Sequence, residues 1–351
     1  MVSLPFKTAP TSICIIRFSA IGDICHVLPI INSIKAQWPN TKITWIIGKV
    51  EYQLVKQIKN IEFIIFDKAH NIQSYVRISK QLNQRKFDVL LMMQAALRAS
   101  ILSTLIKADI KIGFDKERSR DAQWFFSHKQ INGNPRVHVI DTFYQFISAL
   151  GISNTDKKWS LPLSEQDMQF AQLKKAEDAV VINPNSSVSR RNWTVDGYVE
   201  TINYLVNDLN KTVILCASPS PSELAFNQQI TELCTSNIID LSGKTTLGEL
   251  AAVIKLATLV IAPDTGPAHI ATAVNTPVVS LFADTNPNRA RPYLCADKAV
   301  NCYPLALKHY HNTTEDNVTW GFRIRQDEVM SLITFEPVKK MIDAFFLNSI
   351  N

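Results

Sequence analysis

Two kinds of apolar pattern alternate along this chain. Short, nearly unbroken apolar runs at Ser12 to Phe18, Lys42 to Ile47, Ile61 to Phe66, Phe87 to Met92 and Ile110 to Phe114 read as strands buried on both faces, as in a parallel sheet. Between them, Ile24 to Trp38 (through Val27, Ile30, Ile31 and Ile34), Tyr75 to Gln84 and Leu97 to Lys107 carry the spacing of helices. A further helix is expected at Val137 to Leu150, followed by a polar patch with Gly151, Asn154 and Asp156. The alternation then restarts at Ala179 to Ile182, with helices at Val195 to Leu209, Ser222 to Cys234 and Leu247 to Leu256. Its strands fall at Thr212 to Cys216, Ile238-Ile239, Leu256 to Ala262 and Pro277 to Phe282. Val329 to Leu347 has the spacing of a closing helix. Strands alternating with helices predict parallel pairing through right-handed crossovers, so the fold class is α/β. No internal repeat or low-complexity tract interrupts the pattern.

Length and composition sharpen this picture. At 351 residues the chain exceeds one typical core and is expected to form two domains, with a boundary near Leu161 to Glu165. An apolar content of 46% supplies a large interior. A net charge of +6, with acids spread throughout, falls short of a polybasic tail, and no nucleic-acid partner is expected. Six scattered cysteines without a Cys-x-x-Cys read as reduced, buried thiols. The short apolar run after Lys7, broken by Arg17, is not a signal peptide. No stretch reaches the ~18 apolar residues of a membrane span. These features fit a reducing cytoplasm.

The polar stretches that follow strands carry the candidate chemistry. Asp264-Thr265-Gly266-Pro267-Ala268-His269 follows an apolar run and opens a short helix. At the carboxyl end of a parallel strand, where open α/β sheets bind ligands, this turn offers backbone N–H groups, a helix N-terminus, a carboxylate and an imidazole. The first two suit a phosphate, the carboxylate a polyhydroxylated group; a plain helix cap is the alternative. Asn183-Pro184-Asn185-Ser186-Ser187, then Ser189-Arg190-Arg191-Asn192-Trp193, put hydroxyls, amides and cations after another strand, either a pyrophosphate cradle or a solvated basic turn. Gly22-Asp23 ends the loop after the first strand; Asp23 is either a cap worth about 1 kcal/mol or a catalytic carboxylate. His26, one turn on, is either its partner or a packed histidine. Glu223 is a first-turn acid favoured by the helix dipole. Gly243-Lys244-Thr245 lacks the upstream glycine of a P-loop, and no Gly-x-Gly-x-x-Gly follows either opening strand, against a nicotinamide enzyme. Metal-ligand spacings are missing, and His309-Tyr310-His311 lies in a polar segment.

Three strings together resemble the ADP-heptose:lipopolysaccharide heptosyltransferases of glycosyltransferase family 9. They are Arg17-Phe-Ser-Ala-Ile-Gly-Asp-Ile-Cys-His-Val-Leu-Pro29, Arg191-x-Trp193, and Asp264-Thr-Gly-Pro-x-His269 with Ala273, Pro277 to Phe282, Thr285 and Pro287. The resemblance covers most of the chain, most closely 15–31, 183–193 and 242–287. It departs from the family at Arg191, where a lysine is usual, and at Ala283-Asp284, where Gly-Pro is usual. Segments 43–49 and 113–118 look most like the heptosyltransferase I branch.

The resemblance implies a GT-B fold, two Rossmann-like domains with parallel sheets facing across a cleft. Residues 1–163 would bind the acceptor, 164–328 would bind the nucleotide-sugar, and 329–351 would close as a helix packed back on the first domain. It implies inverting transfer of a heptose from ADP-heptose to the Kdo or inner-core region of lipopolysaccharide, with no cofactor and no metal. Asp23 inherits the role of general base. Ser186, Ser187 and Arg191 would hold the diphosphate, Glu223 the ribose, and Thr245 the adenine side. Asp264 would hold sugar hydroxyls, and Thr265, Gly266 and His269 would complete the phosphate end. Arg98, Lys116, Arg118 and Arg120 are candidates for an anionic acceptor, with a solvated basic face as the alternative. A lipid-linked acceptor also implies peripheral contact with the cytoplasmic face of the inner membrane. Two rivals are a GT-B transferase or epimerase using another nucleotide-sugar, and a non-catalytic nucleotide-sugar-binding protein.

Overall fold

A computed structural model describes residues 4–153 and 156–346; Asn154 and Leu347 therefore lie outside the described residues. The chain divides into two compact units between Pro162 and Leu163. In the first unit β1 (Ser12–Ile16), β2 (Lys42–Gly48), β3 (Glu62–Phe66), β4 (Lys86–Met92), β5 (Lys107–Gly113) and β6 (Lys129–Gln130) form one sheet of order β3-β2-β1-β4-β5-β6. Every pairing is parallel, with Ile15 beside Trp45 on one side and Leu91 on the other. The apolar runs are continuous because both faces are covered: Ile13, Cys14, Ile15 and Ile16 are fully buried.

The second unit repeats the plan. Its strands are β7 (Val180–Ile182), β8 (Val213–Leu215), β9 (Ile239–Asp240), β10 (Leu259–Pro263), β11 (Val278–Phe282) and β12 (Ala299–Asn301), in the order β12-β11-β10-β7-β8-β9. This sheet is also parallel throughout. In each unit the first and fourth strands lie side by side and the crossovers run away from them in opposite directions. That is the switch point at which open α/β sheets leave room for a ligand.

Several elements differ from the sequence expectation for local reasons. The helix expected from Tyr75 begins at Asn71, because Asp67 caps a 3-10 turn, Lys68–His70, that runs directly into it. The helix expected to reach Lys107 stops at Thr104, since Lys107 opens β5. The helix expected to end at Leu209 is helical over Val195–Asn203 and continues as a π turn, Tyr204–Asp208. Helices at Lys49–Val55, Glu165–Leu173 and Tyr303–His311, and strands β6 and β12, were not anticipated. The segment holding His309-Tyr310-His311 is thus the end of a helix.

The closing helix is Phe335–Phe346, preceded by a 3-10 turn at Val329–Leu332. The resemblance implied that it packs back on the first domain. Within the second unit, Val338 and Ile342 are fully buried in the core that holds Trp193 and Tyr198. The Phe335 ring meets Tyr204 edge-on, with centroids 5.9 Å apart, and Lys339 bonds Asp343 at 2.9 Å. Trp193 is the anchor of this region: it is 1% exposed and donates from Nε1 to the Ile333 carbonyl at 2.7 Å. A Cβ on Gly197 would come within 2.4 Å of the Trp193 ring, so only glycine lets the helix lie over the indole.

All six cysteines are free thiols. Burial raises the pKa of Cys14 and Cys25 far above that of an exposed thiol, and that of Cys216 to about 12, so the nucleophilic thiolate is withheld. Iodoacetamide at pH 8, followed by peptide mass mapping, should leave these three unmodified in the native protein. It should label the partly exposed Cys234 and Cys302 first, and all six in guanidinium.

Candidate functional site

In the first unit, four residues join the end of β1 to the helix Ile21–Gln37, which places Gly22 and Asp23 in its first turn. Asp23 accepts from the Ala20 backbone N–H at 3.2 Å, so the capping role is realised. It also forms an ion pair with Arg17. The Arg17 side chain is 10% exposed, whereas Asp23, at 29%, keeps an open side. Arg17 also donates to the Met93 carbonyl and lies over the Phe143 ring, 5.2 Å from its centroid. Burial lowers the pKa of Arg17, and the neighbouring Asp23 carboxylate opposes that shift. The loop itself is held from the segment after β4: Gln94 Oε1 accepts from the N–H groups of Phe18 and Ser19 at 3.1 and 3.2 Å. On the other side, Gly48 N–H donates to the Phe18 carbonyl at 3.1 Å, and a Cβ at Gly48 would come within 2.4 Å of that oxygen. His26 is buried, its ring edge-on to His138 at 5.6 Å and to Phe143 at 6.5 Å.

The second unit gathers most of its candidate residues at its own switch point. β7 and β10 are adjacent, with Ile182 beside Ile261, so the loops that leave them run together. Ser186 donates from Oγ to the Asp264 carbonyl at 3.3 Å, and Thr265 donates from Oγ1 to the Asn185 carbonyl at 2.9 Å. The Ser186 N–H is taken by Asn192 Oδ1 at 2.7 Å. Thr265 is the N-cap of the helix Gly266–Ala273, but its hydroxyl is spent on Asn185 and does not cap that helix. The Asp264 carboxylate accepts from Thr285 Oγ1 at 2.9 Å and faces Arg191 Nη1 at 3.3 Å. His269 Nε2 stands 4.0 Å from the other Asp264 oxygen. Ser187 is exposed beside this group.

Asp284, noted above only as a departure from the family pattern, is the hub that residue-by-residue reading missed. It is 1% exposed and accepts from Arg190 Nε at 3.1 Å, Arg191 Nε at 3.2 Å and the Arg325 N–H at 2.9 Å. The signal was available: an acid replaces proline in the same chain in which arginine replaces lysine.

Glu223 and Thr245 lie one and two strands outward. Glu223, in the first turn of Pro221–Leu233, accepts from the Ser218 N–H at 2.8 Å. Thr245 precedes Thr246, which caps Leu247–Leu256 with Glu249 in a reciprocal box. Gly243 takes φ +69° and donates from N–H to the Ala217 carbonyl at 3.0 Å, joining the two loops.

The proposed acceptor cations are not equivalent. Arg118 is committed: it forks onto Asp115 and donates to Gln145 Oε1 at 2.5 Å, with 11% of its side chain exposed. These contacts lock Arg118 onto its own loop. Lys116 lies over the Trp124 ring at 4.7 Å. Arg98 and Arg120 are exposed. Among the described residues, no three His, Cys, Asp or Glu side chains gather as a metal site would require.

Two doubly wound units in tandem, each with polar loops at its switch point, are the build of a GT-B glycosyltransferase. The chain belongs to glycosyltransferase family 9, the heptosyltransferases, whose family model matches residues 75–319. It is 39% identical over 335 residues to the lipopolysaccharide core heptosyltransferase OpsX of Haemophilus influenzae, covering 95% of this chain and 96% of that one. The family 9 glycosyl transferase structure from Veillonella parvula superposes with a TM-score of 0.79 at 22% identity, covering 96% of this chain and 97% of the other. The structure of Escherichia coli heptosyltransferase WaaC with ADP superposes with a TM-score of 0.67 at 17% identity, covering 95% and 97%.

The Arg17–Asp23 pair generates a stability prediction. Arg17→Ala strands a half-buried carboxylate and the Met93 carbonyl, and should cost about 3 kcal/mol, the lower end for breaking a buried pair because Asp23 is partly wet. Urea unfolding at pH 7 measures it; a loss under 1 kcal/mol would show that the pair holds nothing.

Proposed function

We propose that this protein transfers a heptose, with inversion, from ADP-heptose to the Kdo or inner-core region of lipopolysaccharide. The observation that carries the reading is the convergence of Ser186, Arg191, Asp264, Thr265 and His269 on the adjoining ends of β7 and β10. A hydroxyl, a guanidinium and the N-terminus of Gly266–Ala273 suit a diphosphate. Asp264, already accepting from Thr285, suits sugar hydroxyls. Glu223 and Thr245 extend the same rim toward the ribose and base. The reading needs no cofactor or metal ion, since guanidinium charge and the helix N-terminus face the leaving ADP.

Asp23 serves as the base in this scheme. The acceptor hydroxyl attacks the anomeric carbon as its proton passes to the Asp23 carboxylate and the bond to the diphosphate oxygen breaks. Arg17 and the Ala20 N–H hold one carboxylate oxygen, which aims the carboxylate without enclosing it.

Contact with a bilayer belongs to the same proposal. Helices Asn71–Leu82 and Leu97–Thr104 leave Ile72, Val76, Leu97 and Ile101 exposed, and Phe125 beside them is 71% exposed. Residues 71–120 hold ten Lys and Arg against four Asp and Glu, an excess of +6. Apolar side chains among cations fit an anionic lipid surface.

In a transfer assay with ADP-heptose and a deep-truncated lipid acceptor, Asp23→Ala should lower turnover by about two to four orders of magnitude while leaving ADP affinity within a few-fold. Equal product from both proteins would remove Asp23 from the role. ADP at a hundred times its Kd should stabilise the fold by about 2.7 kcal/mol, and UDP and GDP should not; stabilisation by another nucleotide would sink the donor assignment. Ile72→Glu with Phe125→Glu should abolish co-sedimentation with vesicles containing phosphatidylglycerol, and unchanged binding would move the lipid contact elsewhere.

A further inference from the structure

We infer that Asp284 is a positioning residue that turns Arg190 and Arg191 into a paired fork for the donor's diphosphate; this rests on the donor reading above. Three strand ends supply the parts. The turn Ser189–Arg191 follows β7, Asp264 follows β10 and Asp284 follows β11. Asp284 reaches past the end of β10 to hold both arginines, one on each carboxylate oxygen, and each through Nε. Its backbone is fixed by the Ile324 N–H, which donates to its carbonyl at 3.0 Å, and its carboxylate by the Arg325 N–H, which donates to Oδ1.

A guanidinium has two donating edges, whereas an ammonium is a single point charge. Held at Nε, an arginine still presents its two terminal nitrogens. Arg191 shows this, with Nε on Asp284 and Nη1 on Asp264. Among the described residues, the terminal nitrogens of Arg190 have no protein partner, and its side chain is 23% exposed. A lysine at 191 beside the same carboxylate would surrender its only charged nitrogen to it. The two departures from the family pattern, Arg191 and Asp284, are therefore one device: the acid requires the fork, and the fork is aimed by the acid.

The test is a double-mutant cycle read by calorimetric titration with ADP. Asp284→Asn keeps the side-chain shape but places an amide donor against one guanidinium; Arg191→Lys keeps the charge but loses the second edge. Each single change should weaken ADP binding at least about tenfold, the scale of a lost charge-assisted hydrogen bond. The double variant should bind more tightly than Arg191→Lys alone, because the lysine is no longer captured. A purely structural role for Asp284 would lower the ligand-free thermal midpoint without this rescue. Wild-type affinity in Asp284→Asn, or strictly additive losses, would overturn the proposal. If Asp284→Asn does not fold, Arg191→Lys still decides, since undiminished ADP binding by that variant would overturn it. A wild-type protein that does not bind ADP would overturn the donor reading itself.

Discussion

The side-by-side, parallel placement of β7 and β10 is the constraint from which the rest of the candidate donor site follows. Parallel neighbours end at the same edge of the sheet, so the loops that leave them must run together. Here those loops share backbone acceptors: Ser186 bonds the carbonyl of Asp264, and Thr265 that of Asn185. These crossed bonds tie two segments about 80 residues apart into one rim. The Thr265 hydroxyl is then not spent capping its own helix. The first turn of Gly266–Ala273 has no side-chain cap, leaving N–H groups of the kind an anion completes.

Buried charge is handled differently in the two units. In the first, a nearly buried guanidinium is shared among a carboxylate, a backbone carbonyl and an aromatic face. Its cost is met locally, and Asp23 emerges on the wet side of the pair. In the second, two arginines meet two carboxylates, a group formally neutral before any ligand arrives. Neutrality lets four charged side chains sit at a sheet edge without the desolvation penalty of an unpaired ion. Asp284 is the deeper acid and Asp264 the more exposed one, at 1% and 14%. The deeper acid anchors; the shallower one is available to exchange partners.

Legibility in the sequence tracked how local each cause was. The central strands of both sheets are apolar on both faces, so their runs stood out, and the two-unit α/β plan followed from their alternation. β6 and β12 escaped because they are short edge strands, and β6, Lys129–Gln130, is two exposed polar residues. Tyr303–His311 escaped because its polar end, His309 and His311, hides the helical period of Tyr303, Ala306 and Leu307. The closing helix was found, but its packing partner is a tertiary fact: Val338 and Ile342 mark an apolar face without saying which core receives it. Arg118 shows the same limit. Its basic neighbourhood is visible along the chain, whereas its commitment to Asp115 and Gln145 depends on a helix 27 residues away.

The candidate site divides along that line as well. Ser186 and Asp264 stood out as candidates because each lies in the loop directly after a strand, and Asp23 because it opens the helix after β1. Asp284 did not, because its meaning lies in Arg190 and Arg191, 94 and 93 residues earlier. A carboxylate in place of proline looks like a blemish in a motif until the arginines that need it are brought across β10. Motifs describe what a family holds in common; a coupled pair of departures shows how one chain holds a guanidinium at the same rim by another route.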